Sequence, residues 1–158
     1  MTRALLKGGG LLLLVVTVAA CASMRAKEPT LYERFRAVDS TGMQRQGRDA
    51  IAIVVGNFVA NVVADNRVNA RFKALPGPAV EKLRSNLADQ ICEASSGPCS
   101  YYGRDMKTTH TGMKITEAEW TATVEDLIKA LDQAKVGERE KQDLLAALGP
   151  MKKDIVGQ

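Results

Sequence analysis

Only one histidine, His110, occurs among the 158 residues, and there are three cysteines, Cys21, Cys92 and Cys99. A single imidazole excludes a metal site built on a histidine pair. It also excludes any mechanism that needs two imidazoles. Three thiols fall one short of an all-cysteine tetrahedral centre. Aromatic residues make up 4% of the chain, so the stacking surfaces used by single-strand nucleic-acid binders are poorly supplied. Charge of one sign is scarce too: 22 Lys+Arg stand against 18 Asp+Glu, a net +4 with no basic stripe. Nucleic acid is therefore not an expected partner. From Leu31 onward no run alternates cleanly between polar and apolar residues, and no Asn-Gly or Asp-Gly pair signals a hairpin.

What is present begins with an export signal. Arg3 and Lys7 precede thirteen uncharged residues, Gly8 to Ala20, short of the roughly 20 that span a bilayer as a helix. The run ends Val18-Ala19-Ala20-Cys21, which resembles the bacterial lipobox, where cleavage leaves a lipid-modified cysteine. The resemblance implies a signal peptide over 1–20, a lipid anchor to the membrane at Cys21 and a tether over 21–30. It also implies a place in the bacterial cell envelope. Ala22-Ser23, with no Asp, points to the periplasmic face of the outer membrane. An ordinary signal peptide with a coincidental cysteine, or an uncleaved anchor, is the alternative. Removing 1–20 takes away two basic residues and leaves 20 against 18, a net +2.

Residues 31–158 read as one all-α domain of four substantial helices plus short ones. Ile51, Val54, Val55, Phe58, Val62 and Val63 recur at helical steps, as do Val80, Leu83, Leu87 and Ile91. Thr116-x-x-Glu119 is a capping box opening a third helix, with Trp120, Val124, Leu127 and Leu131 as its expected buried stripe. Gly137 separates a fourth, carrying Leu144, Leu145, Leu148, Met151 and Ile155, which Pro150 should kink.

The chain is most specific from Tyr101 to Thr116. Met106 and His110 are four residues apart, so thioether and imidazole share one helical face, and Gly112 ends the helix at once. This stretch resembles the Y-x-G-x-x-M-x-x-x-H-x-G-x-x-I-T segment of group I truncated haemoglobins. Further matches follow in order: Leu31-Tyr32 at the start, Phe58 in the second helix and the Asp65-to-Phe72 corner. The resemblance implies a two-over-two helical globin fold and a haem b (iron protoporphyrin IX) ligated by His110. Phe58, Phe72, Leu83, Leu87, Met106, Ile115 and Trp120 would then wall the haem, with Lys107 reaching a propionate. One neutral imidazole suffices for such an iron, and bis-histidine ligation within the chain is excluded. A lone histidine between Thr and Lys also suits a solvated helix face; the ordered matches along the chain favour the ligand.

Two departures bear on function. Where the family carries a tyrosine after the second-helix aromatic stands Val59, and where it often carries glutamines on the long helix stand Leu83 and Leu87. The distal side reads as dry, with Thr123 and Gln90 as the remaining donor candidates. Losing a donor to a charged acceptor costs about 1–3 kcal/mol, which disfavours dioxygen relative to carbon monoxide. The second departure is the polar segment Arg36 to Gln46, a loop, a helix extension or a partner surface. Cys92 and Cys99 read as a disulfide in an exported protein. A redox-active dithiol is the alternative; covalent haem attachment would need C-x-x-C-H, which is not there.

The leading expectation is reversible binding of a diatomic gas (O2, NO or CO) at the envelope. The rivals are a haem redox enzyme, as NO dioxygenase or peroxidase, and a haem-free globin-fold lipoprotein that meets a protein partner through Arg36–Gln46.

Overall fold

The computed structural model describes residues 27–158. The expected signal peptide and Cys21 lie outside the described residues. Thr30, assigned above to the tether, belongs to the folded domain. It caps α1 (Leu31–Arg34) in a reciprocal pair with Glu33, at 2.7 and 3.2 Å.

The segment Arg36–Gln46 is an antiparallel hairpin, β1 (Arg36–Val38) against β2 (Gln44–Gln46), with Ala37 opposite Arg45. Asp39 builds its turn by accepting from Thr41 N, Met43 N and Arg45 Nε, and Gly42 takes φ +84°. The Thr41 hydroxyl and the Arg45 guanidinium hold the Asp39 carboxyl well below the ordinary range. Three-residue strands are too short for alternation to register, so no period could reveal them.

Gly47 turns the chain from β2 into α2 (Gly47–Ala64) at φ +57°, where a Cβ would stand 2.9 Å from the Tyr32 hydroxyl. Only glycine meets both demands. Five helices complete the set with α2: α1 before it, then α3 (Gly77–Ala94), α4 (Met106–His110), α5 (Glu117–Gln133) and α6 (Glu138–Leu148). α2 is long and apolar enough to cross a bilayer by composition alone, yet here it is the hub, packed against both α3 and α5. Its β-branched Ile51, Val54, Val55, Val59 and Val62 are buried. Burial worth about 1.5–3 kcal/mol for each such side chain outweighs their weaker helix propensity.

α5 opens at Thr116 with the expected capping box, Glu119 N donating to Thr116 Oγ1 at 3.2 Å. Its buried face differs from the expected stripe: Ala122, Asp126, Leu127, Ala130 and Leu131 are buried, while Trp120 and Val124 are half-buried. Likewise on α3 Ala88, Ile91 and Cys92 are buried, and Val80, Leu83 and Leu87 are half-buried. Pro150 does not kink the last helix. α6 ends at Leu148, and Pro150 sits in the first turn of a 3-10 helix, Gly149–Asp154, where its missing N–H has no partner to lose. α6 closes against α1 and α3, and the 3-10 helix packs on α4. A disulfide between Cys92 and Cys99, Cα atoms 5.7 Å apart, ties the end of α3 to the loop leading to α4.

Candidate functional site

α4 is five residues long, and such a helix forms only when its ends are satisfied from outside. Asp105 caps it by accepting from Thr108 N at 2.9 Å, and the Thr108 hydrogen bonds hold the Asp105 carboxyl below its usual range. At the other end Thr111 N bonds to Lys107 O at 2.9 Å and Gly112 turns away at φ +82°. His110 is the last helical residue, half-buried.

The His110 Nδ1 lies 2.7 Å from the Met106 carbonyl oxygen. A carbonyl can only accept, so Nδ1 carries a proton, and in the neutral ring the lone pair then lies on Nε2. Such a backbone bond fixes both the tautomer and the ring direction of a metal-ligating histidine.

The linker after α4 is gripped from two sides. Arg71 donates from Nη1 to Met113 O at 3.0 Å and from Nε to Glu119 Oε1 at 2.7 Å. Arg71 holds the Glu119 carboxyl down at about 2, helped by the Thr116 N–H. From the other side Gly157 N bonds to Ile115 O at 2.8 Å and Lys114 N to Gln158 O at 2.5 Å, with Ile115 and Val156 in a parallel bridge. Lys152 adds an ion pair to Glu117 at 2.7 Å. Arg71, Glu119 and Val156 were not among the expected site residues. Their partners are distant in sequence, and no local pattern announces them.

A cavity of about 540 Å3 opens beside α4, lined by Gln90, Tyr101, Met106, Ala147 and Met151 among others. Gln90 Nε2 faces the sulfurs of Met106 and Met151, at 3.2 and 3.5 Å. Phe58 and Phe72 pack together on Val62, Val68 and Ala122, where the end of α2, the following corner and α5 meet. Leu87 and Phe58 also touch the main core, in which Val59 is 3% exposed. Leu83, Ile115 and Trp120 are half-buried, and Lys107 is exposed with no ion pair among the described residues. The Thr123 hydroxyl donates to Glu119 O at 2.8 Å, inside its own helix. Both remaining donor candidates are thus engaged: Thr123 with its helix, Gln90 with the α4 side.

α4 carries an imidazole anchored at Nδ1 and borders a cavity through Met106; Phe58 and Phe72 pack in a separate cluster on α5, and His110 is in neither group. The family model for bacterial-like globins matches residues 39–156. The group 1 truncated hemoglobin GlbN of Mycolicibacterium paratuberculosis is 28% identical over 124 residues, 77% of this chain and 89% of that protein. The group 1 truncated hemoglobin of Tetrahymena thermophila is 25% identical over 132 residues, 84% and 98% of the two chains. The crystal structure of Tetrahymena pyriformis truncated hemoglobin in its Fe(III) form, 25% identical, superposes with a TM-score of 0.69 over 82% of this chain and all of that one. The chain belongs to the bacterial-like globin family, with the two-over-two fold of a group I truncated haemoglobin.

Proposed function

We propose that this protein holds haem b through His110 and captures a diatomic gas on a distal face with few hydrogen-bond donors. Globin membership makes it a haem-binding protein whose ligand is a small gas molecule. The observation that carries the assignment of the ligand is the Nδ1 bond from His110 to the Met106 carbonyl, which leaves Nε2 as a neutral donor of the kind haem iron takes. Bound there, the haem supplies an iron coordination position for the gas. Met106 and Ile115 stand on the segment that carries the histidine. Phe58 and Phe72 form the apolar wall, Leu83, Leu87 and Trp120 add apolar surface, and Lys107 is free to meet a propionate.

Val59, Leu83 and Leu87 offer no donor, and the Thr123 hydroxyl is spent on its own helix. These residues support binding over redox catalysis, because they supply no acid–base group for peroxide cleavage.

The test is an absorption spectrum of the purified protein after addition of hemin. A Soret band in the wild type that is lost in His110→Ala is expected; an unchanged spectrum in the variant removes His110 as ligand, and no band in the wild type removes the haem reading. The proposal extends to the cell envelope on the strength of the lipobox-like run ending at Cys21. Incorporation of labelled palmitate, lost in Cys21→Ser, checks it, and no incorporation in the wild type overturns it.

A further inference from the structure

Gln90 of α3 sets its side-chain amide against two thioethers. Its Nε2 lies 3.2 Å from the sulfur of Met106, the first residue of α4, and 3.5 Å from that of Met151, in the 3-10 helix Gly149–Asp154. Three elements far apart in sequence thus bring two sulfurs around one point. A thioether is a weak hydrogen-bond acceptor, so an N–H placed on two of them gains little. A soft cation gains more from the same pair.

The lining of the cavity around them fits a cation. Glu93 and Asp105 line it beside Met106 and Met151, and no Lys, Arg or His does so among the described residues. Both carboxylates are positioned by backbone bonds: Glu93 accepts from Tyr101 N at 3.2 Å, and Asp105 from Thr108 N at 2.9 Å. The donor types then select the ion. Calcium and magnesium take oxygen ligands, and structural zinc takes thiolate or imidazole. Neutral thioethers suit Cu(I).

We propose that Met106, Met151 and Gln90 form a site for Cu(I), with the two sulfurs and the amide oxygen as ligands. The last torsion of a glutamine is broad and roughly two-fold, so the amide can turn by half a revolution without moving the rest of the side chain. Oε1 then stands where Nε2 stood. Without the ion the amide nitrogen bonds to the sulfurs; with it the amide oxygen and the sulfurs share the ion. Glu93 and Asp105 balance its charge, and the ion clasps α3, α4 and the 3-10 helix together. His110 does not line this cavity, so the site goes beyond the haem reading and does not rest on it.

Silver(I) is the probe, being as soft as Cu(I) and stable in one oxidation state. The full chain carries Cys21→Ser, which removes the one thiol outside the disulfide. In protein labelled with methyl-carbon-13 methionine, silver is expected to shift the Met106 and Met151 methyl signals together and to leave that of Met43, which is 54% exposed, in place. Calorimetry is expected to find the affinity lowered about tenfold or more in Met106→Leu and in Met151→Leu, substitutions that conserve volume and keep the fold. Gln90→Glu should retain binding and Gln90→Leu weaken it, which separates a ligand from a packing residue. Uniform shifts of all methionines, or unchanged affinity in either methionine variant, overturn the site. Binding lost in His110→Ala overturns it as well, by giving the ion to His110. Hemin loading is expected to leave silver uptake unchanged; uptake abolished by hemin places the haem in this cavity and overturns a separate metal site. Competition for Cu(I) against a chromophoric chelator without oxygen completes the test: silver bound but no Cu(I) overturns the choice of ion.

Discussion

The Nδ1 of His110 and the carbonyl oxygen of Met106, one turn apart on the same short helix, lie 2.7 Å from each other. The bond turns a solvent-edge histidine into a directed one, because a ring anchored at one nitrogen can offer the other in only one direction.

Removing that ring should separate haem binding from folding. His110 is half-buried and belongs to neither core cluster. His110→Ala is expected to change the stability of the haem-free protein by less than about 1 kcal/mol while abolishing the Soret band. Thermal unfolding followed by circular dichroism, beside hemin titration, reads the two effects separately.

Restoring a donor on the distal side should slow dioxygen release. Leu87 is half-buried on α3 and touches the main core at its edge, so a glutamine of similar length fits there. A hydrogen bond of about 1.4 kcal/mol gives a tenfold slower rate. Stopped-flow dissociation of Leu87→Gln against wild type checks it; equal rates show that Leu87 does not face the gas.

Acid should loosen the grip on the linker after α4. Glu119 is held at about 2, chiefly by Arg71, against an ordinary value of 4.5. A lowered acid contributes its full stabilisation above the ordinary value and loses it as pH falls toward about 2. Arg71→Met is expected to cost about 1 kcal/mol near neutral pH and to flatten the acid limb of the unfolding curve. Chemical denaturation at a series of pH values measures both.

The bridge between Cys92 and Cys99 should stabilise without exchanging readily. A loop of this size contributes about 2–3 kcal/mol. Attack on the half-exposed Cys99 would have to expel the thiolate of Cys92, which is fully buried among apolar residues and a poor leaving group there. Cys92→Ser with Cys99→Ser is expected to lower stability by that amount. Mild thiol reagents should leave the wild-type disulfide intact until the protein unfolds, as alkylation followed by mass spectrometry reports.

What could be read from the order of residues was whatever has a local cause. The capping box at Thr116, the release of α4 at Gly112 and the opening of α6 at Gly137 each depend on a few neighbouring residues, and each stands where the residues put it. The family's spacing from Tyr101 to Thr116 gave the two-over-two fold by the same route. What escaped depends on partners far along the chain. The hairpin at Arg36–Gln46 is held by Asp39 and by a bond from Val38 N to Ala134 O at 2.8 Å, which no strand period signals. Trp120 and Val124 have the spacing of a core stripe, but the α2 contact selects the neighbouring face of α5. Thr123 and Gln90 looked available as donors because a hydroxyl and an amide are donors by composition. Where each spends its proton is a matter of geometry.

The strap formed by Gly157 and Gln158 on Ile115 and Lys114 sets an order of events. α2 can collapse on α3 as soon as both have emerged, but the stretch behind His110 is completed by residues synthesised well after it. The backbone behind His110 therefore gains its full set of partners only once residues 157 and 158 have joined the fold.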